Sequence, residues 1–164
     1  MRYVEACAND TIGDGTGWYF KNSTKEVSIF LAGGITGCHD WQNEARNFFS
    51  SQEDNDNLVL LNPRRNTFDV NDPNSSYKQI EWEYHHLKAA DAVLFWFPSE
   101  TLCPITLFEY GKCIAKNKLL FVGCNPEYTR FYDLLVQTRF EKPSQKINTS
   151  LPDLLEQTYD WYKS

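Results

Sequence analysis

Nowhere in this chain does an apolar run approach the roughly 20 residues that a bilayer-crossing helix needs. The amino terminus, MRYVEACAND, also lacks the basic stretch and apolar segment of a secretory leader. These two absences predict a cytoplasmic protein with no membrane partner. The five cysteines, Cys7, Cys38, Cys103, Cys113 and Cys124, form no CxxC pair and are odd in number, so reduced thiols are expected. His39, His85 and His86 offer neither HxxxH nor HxxE spacing, and no metal site is expected. Basic residues are sparse too: 16 Lys and Arg against 22 Asp and Glu leave a net charge of −6, with Arg64–Arg65 the one adjacent pair. No broad basic surface is available to follow a phosphate backbone, which argues against polymeric nucleic acid as a partner.

What is present reads as globular. Hydrophobic residues make up 41%, aromatic residues 15% and charged residues 23% of 164 positions. That length suits one domain, able to bury roughly two-thirds of the surface its unfolded form exposes. The division expected is an edge strand and loop over 1–26, a core over 27–125, and C-terminal helices over 126–164. Four short apolar runs bounded by Gly, Pro, Asn or Asp read as strands: Val27 to Ala32, Leu58 to Leu61, Ala92 to Phe97 and Lys118 to Val122. Arg2 to Cys7 reads as an edge strand, and the Gly-rich TIGDGTGW as a loop wrapping the body. Helical patterns follow at Trp41 to Ser50 behind Asp40 as N-cap, Tyr77 to Ala90 behind Ser75–Ser76, and Ile105 to Lys116 behind Pro104. Two more cover Tyr128 to Thr138 and Leu151 to Tyr162, with EKPSQKINTS as the break between them. Strand–helix–strand repetition predicts an α/β chain with a flavodoxin-like or Rossmann-like three-layer sandwich. Its mostly parallel sheet should have about five strands.

Residues 89–111, AADAVLFWFPSETLCPITLFEYG, are the most informative segment. A strand apolar at every position is buried on both faces, and ligands in open α/β sheets bind beyond the carboxyl ends of such strands. Glu109 is expected in the first helical turn past that end, kept ionised by the helix N-terminus as a carboxylate nucleophile requires. On a helical wheel Leu107, Phe108, Gly111, Ile114 and Ala115 make the buried stripe, while Glu109 falls with Lys112 and Lys116, so a solvated face is the competing reading. For Glu83 the wheel says the reverse. Ile80, Tyr84, Leu87 and Ala90 form an apolar stripe that includes it, so Glu83 is either a functional acid with a raised pKa or a structural partner of Arg64, Arg65 or a helix amino terminus. Trp82 points away and suggests an interface; His85 and His86 read as surface residues.

The glycines of LAGGITG, Gly33 and Gly34 with Ile35, suit a sugar or anion brought close to the backbone, or simply a tight turn. Asp40 and Trp41 follow them. Trp96, Phe97 and Pro98 end the third strand, where aromatic rings either stack on a planar base or fill the core. Arg64 follows the second strand, within reach of a phosphate. Asp91 reads as a cap or ion-pair partner at the other end of the sheet, and Cys103 as an unreactive thiol.

Together, SIFLAGGITGCHDWQ, LNPRR, QIEWEYHHLKAADAVLFWFP and ETLCPITLFEYGKCIA resemble the nucleoside 2-deoxyribosyltransferase-like family, in particular its phage and bacterial branch, over roughly residues 27–125. The resemblance implies a flavodoxin-like sheet, no metal, and a glutamate that attacks the anomeric carbon of a nucleoside. That nucleophile falls on Glu109 of FEYG, and the acidic residue that contacts the sugar or handles the base's proton falls on Glu83. Two features depart from the pattern. Cys103 stands nearest to where transferases carry a further acid, and the asparagine that a neighbouring subunit supplies has only Asn125 as a nominal counterpart.

The chain is therefore expected to act on the N-glycosidic bond of nucleosides or nucleotides without a cofactor. It would pass a (2-deoxy)ribosyl group to another base or to water through a glutamyl-glycosyl intermediate. The expected binding set is Gly33, Gly34, Ile35, Asp40, Trp41, Arg64, Trp96, Phe97 and Pro98, and the partner a small-molecule nucleoside or nucleotide in a homo-oligomer. The rival expectation is a module that binds a nucleotide or nucleotide-derived signal without turning it over.

Overall fold

The computed structural model describes residues 1–7, 21–65 and 73–164. The Gly-rich segment TIGDGTGW, read above as a wrapping loop, lies outside the described residues. Six strands, β1 (Arg2–Glu5), β2 (Val27–Gly33), β3 (Leu58–Asn62), β4 (Ala92–Phe97), β5 (Leu120–Cys124) and β6 (Ile147–Asn148), form one sheet. Five helices accompany them: α1 (Trp41–Ser50), α2 (Pro73–Ala89), α3 (Pro104–Ala115), α4 (Phe131–Glu141) and α5 (Leu151–Lys163).

Spatial order in the sheet is β1-β3-β2-β4-β5-β6, and every pairing is parallel. From β2 the chain steps to β3 on one side, then crosses back through α2 to β4 on the other. The gap between the carboxyl ends of β2 and β4 is therefore a topological switch point, where a crevice opens because the connections leave in opposite directions. This is the flavodoxin-like arrangement expected, in the order β3-β2-β4-β5-β6, with β1 added beside β3 as one extra edge strand. The sixth strand, Ile147–Asn148, falls inside EKPSQKINTS, whose polar composition conceals a two-residue pairing with β5.

Alternation along the central strands divides the core. Ile29 and Leu31 of β2 face α1 and α5, in a layer with Trp41, Phe49, Trp96 and Leu154. Phe30 and Ala32 face α2, α3 and α4, with Trp82, Phe95, Phe97 and Tyr110. Each fully buried Leu, Ile or Phe contributes about 1.5–3 kcal/mol against exposure, so the doubly covered β4, AVLFWF, anchors both layers. Local chemistry then sets the ends. Asp40 caps α1 by accepting a 3.0 Å bond from the Asn43 amide, and Asp91 ties β4 to β2 through the Ser28 amide and hydroxyl, at 2.8 and 2.7 Å, and to Lys21 at 2.7 Å.

The wheel assignments need correction on both helices that flank the crevice. On α2 the buried row is Trp82, His86 and Leu87, while Ile80 and Tyr84 are exposed. Trp82 is 1% exposed and belongs to the core: its ring stacks on His86 at 4.0 Å and lies 6.0 Å from Phe30. His86 is likewise buried, its Nδ1 donating 2.7 Å to the Trp82 carbonyl, and burial depresses its pKa. On α3 the buried row is Thr106, Tyr110, Cys113 and Ile114, whereas Phe108 stands 68% exposed. The reason is the same in both cases. The His86 Nδ1–Trp82 carbonyl bond and a Tyr110 hydroxyl bonded to Thr138 at 2.8 Å satisfy polar atoms inside the core, so amphipathic side chains take positions there that a hydrophobicity count gives to Ile or Phe.

Candidate active site

A cavity of about 340 Å³ opens at the switch point, at the small end of the roughly 300–1,000 Å³ usual for small-molecule sites. Its floor is Phe30, Ala32 and Gly33 of β2, its walls the turn Gly34–Thr36, Pro63, Thr101 and the run Cys103 to Thr106, and two carboxylic acids face it: Glu83 from α2 and Glu109 from α3. Among the described residues no Lys, Arg or His lines it.

The glycines are here because two segments press on them. A Cβ on Gly33 would come within 2.5 Å of the Trp41 ring and of the Trp96 carbonyl oxygen, and one on Gly34 within 2.8 to 3.0 Å of Pro98, Thr101 and Cys103. The Gly34 carbonyl accepts three donors, Trp41 Nε1 at 3.0 Å, Gln42 Nε2 at 3.2 Å and Arg64 Nη2 at 3.3 Å. That peptide is trans, so the Ile35 N–H, on the same unit, points away from those donors. Across the mouth, His39 Nδ1 and Glu100 Oε1 meet at 2.6 Å, joining the turn after β2 to the loop after β4. His39 holds the Glu100 carboxyl down at about 2. The same loop is held from below by the Tyr128 hydroxyl, which donates 2.8 Å to the Leu102 carbonyl.

Cys103 ends that loop as the N-cap of α3, in the left-handed region at φ 45° and ψ 54° that a non-glycine residue adopts only under constraint. Its thiol lines the cavity but burial pushes its pKa up to about 12, which removes it as a nucleophile.

Glu109 lies in the second turn of α3, not the first, because the helix starts at Pro104. It flanks the buried Thr106–Tyr110–Cys113 row and turns into the cavity instead of outward with the lysines. At that depth the helix N-terminus does not keep it ionised: burial, and then the charge of Glu83, push its pKa up to about 8, against a smaller lowering by Lys112. Glu83 is also raised, by burial, while a hydrogen bond from Gln79 and the charge of Arg65 pull it down.

The other expected binding residues stand elsewhere. Trp41 and Asp40 support the turn from behind, and Asp40 pairs with Arg64 at 3.2 Å. The Arg64 guanidinium is committed further to Gln42 at 2.9 Å and the His39 carbonyl at 3.0 Å, so it braces the turn and does not reach into the cavity. Trp96 packs in the α1/α5 layer against Gly123 and Leu154, and Phe97 against Tyr110 and Tyr128, because β4 keeps both faces covered to its last residue. Pro98 presses on Gly34 without lining the cavity. Asn125 sits in the turn after β5, its amide bonded to the Phe97 carbonyl at 2.9 Å.

Sequence reasoning passed over Thr36, Pro63, Thr101 and Thr106, all of which line the cavity. Thr106 had a signal, standing three residues before Glu109 and hence on the same side of the helix. Among the described residues no group of three His, Cys, Asp or Glu side chains converges as a metal site does, and no helix is long and apolar enough to cross a membrane.

The profile of the family described as nucleoside 2-deoxyribosyltransferase like matches residues 26–128, and the chain belongs to that family. The match spans β2 to the turn after β5 and so contains every residue that lines the cavity. No curated protein matches the chain.

Proposed function

We propose that this member of a deoxyribosyl-transfer family cleaves the N-glycosidic bond of a nucleoside, with Glu109 as nucleophile and Glu83 as the acid that handles the base's proton. The observation that carries the reading is the pair itself: two carboxyls, from different helices, in one cavity of nucleoside size that no Lys, Arg or His among the described residues lines. A Glu109 carboxylate oxygen attacks C1′, the C1′–N bond breaks through an oxocarbenium-like state, and its electron pair goes to the departing base, which takes a proton from Glu83. The product is a glycosyl ester on Glu109. An incoming base attacks C1′ with its ring nitrogen and gives its proton back to Glu83, releasing the Glu109 carboxylate. Water in the same role gives the free sugar.

This chemistry needs one proton on the pair. Two would silence the nucleophile, and none would leave the base without a donor. Burial of both acids supports such a state, since it keeps the pair from losing both protons at neutral pH. The absence of a lining cation among the described residues favours an uncharged nucleoside over a 5′-monophosphate. The stretches 8–20 and 66–72 contain no Lys, Arg or His either.

Incubating the protein with a nucleoside panel and free adenine, and reading products by mass spectrometry, separates exchange, hydrolysis and silence. A second reading, binding without turnover, is favoured by one observation. Glu109 holds its proton up to about pH 8 and in that form donates a hydrogen bond to a ligand instead of attacking it. Saturable nucleoside binding with no product after prolonged incubation would establish it.

We further propose a homo-oligomer. Tyr77, Ile80 and Tyr84 on α2 and Ile105 and Phe108 on α3 are 47–68% exposed. The two rows are bridged by Lys112, whose ammonium lies 4.6 Å from the Tyr84 ring and 5.6 Å from Phe108. An apolar face of this kind fits a second copy of the chain, and Ile105 belongs both to that face and to the cavity wall.

A further inference from the structure

Gln79 does not itself line the cavity, yet it decides how Glu83 is held. It sits one helical turn before Glu83 on α2. Both hydrogens of its amide nitrogen are used, one on the Pro63 carbonyl at 2.7 Å and the other on Glu83 Oε1 at 2.7 Å. The orientation follows from chemistry. With the amide turned over, its oxygen would face the Pro63 carbonyl oxygen, two acceptors with no hydrogen between them. Holding both bonds leaves Gln79 Oε1 buried without a partner among the described residues, an unfavourable arrangement that the fold bears to keep this geometry.

A donor fixed on Oε1 has two effects. It stabilises Glu83 in the charged form, and it reserves Oε1 as an acceptor, so a proton arriving at this carboxyl is carried on Oε2. Other groups also reach the pair. Arg65, from the segment after β3, acts on Glu83, and Lys112 of α3 acts on Glu109. Cys7 after β1 feels Glu83, and Cys113 feels Glu109; Cys103 lines the cavity, and all three thiols are raised by burial and stay neutral. Lys112 lies over the Tyr84 and Phe108 rings, 4.6 and 5.6 Å from their centres. The one direct hydrogen bond to either acid among the described side chains is that of Gln79.

We propose that Gln79 is the positioning residue of the acid pair: its clamp makes Glu83 the charged member in the empty cavity, so that the single shared proton rests on Glu109 and passes to Glu83 Oε2 when substrate engages. This rests on the two-acid reading above. The transfer moves one proton between two carboxyls and leaves the count unchanged, and Glu109 becomes the bare nucleophile in the same act that arms Glu83 as the acid.

The test is Gln79→Met, which keeps length and removes both donors. Two readouts separate positioning from mere support. The first is the pH profile of kcat/KM, whose acid limb should move upward by about one unit because Glu83 loses the bond that favours its charged form. The second needs no turnover: the carboxyl carbon signal of Glu109 in ¹³C-labelled protein, assigned by its loss in Glu109→Gln. Between the two ionisations it should shift from the protonated toward the carboxylate position, as the proton relocates to Glu83. An unmoved Glu109 signal in folded Gln79→Met overturns the proposal, whatever happens to its melting temperature. If the protein proves inactive, the reaction assignment fails while the carboxyl titration still judges Gln79. Should Gln79→Met not fold, Gln79→Asn, one methylene too short to span both acceptors, is measured in the same way.

Discussion

Glu83 and Glu109 stand on different helices and meet across one cavity, where the charge of the first helps to raise the pKa of the second. Neither acid has an opposite charge within salt-bridge distance among the described residues, so burial governs both.

Turnover should trace a bell against pH. The alkaline limb should fall at about 8, where Glu109 gives up the last shared proton, and the acid limb above the ordinary carboxylate range. Glu83→Gln should lower turnover and erase the alkaline limb, since Glu109 then ionises without a charged neighbour and no second acid remains. A steady-state pH series on both proteins decides it. A retained limb at the same pH would assign the ionisation to another group.

Glu109→Gln should depress base exchange by about 10³-fold or more while nucleoside binding stays measurable, because shape is kept and nucleophilicity is lost. The same variant should melt higher than the parent above pH 7. A carboxyl whose pKa is raised on folding costs nothing below its unfolded value of 4.5. The cost grows as pH climbs from there toward about 8, and it stays constant beyond. Melting curves at acid and alkaline pH should therefore agree at the first and diverge by a few kcal/mol of stability at the second.

Gly34→Ala should destabilise the chain by about 1–3 kcal/mol and weaken ligand binding, since the new methyl displaces Pro98, Thr101 and Cys103 together. Urea melts and titration with nucleoside measure the two effects. Gly37→Ala is the contrast. Its Cβ meets nothing within 4 Å, so its cost comes from φ of 77° alone and should leave the cavity intact.

A 5′-monophosphate should bind at least tenfold more weakly than its nucleoside, about 1.4 kcal/mol, because no cationic side chain among the described residues lines the cavity. Competition binding reads this directly. Equal affinity would point to the N-terminal amides of α3, the anion-favouring element on the cavity wall.

Ile80→Glu and Phe108→Glu should each lower the molecular mass seen by light scattering without changing the circular dichroism spectrum, because both side chains are already solvent-facing within the protomer. A mass equal to one chain in the parent protein would remove the interface.

Much of this architecture is legible along the chain. Runs apolar at every position, such as Ala92 to Phe97, belong only to strands covered on both faces, and their spacing with helices between them dictates a parallel sheet. Acids near the carboxyl end of such a strand then stand near the switch point by topology alone. What periodicity could not assign is which way each side chain turns. Glu109 falls on the polar side of its own helical wheel, and only the packing of α3 against α2 converts that side into a cavity wall. Trp82 and His86 look like surface residues until their stacking shows how an amphipathic pair fills a core. Arg64 has the charge for a phosphate, but Gln42, Gly34 and His39, brought together only by the tertiary fold, claim its guanidinium for the turn. Strand and helix identity come from local spacing of apolar residues, whereas burial of a charge depends on what another segment, distant in sequence, sets against it.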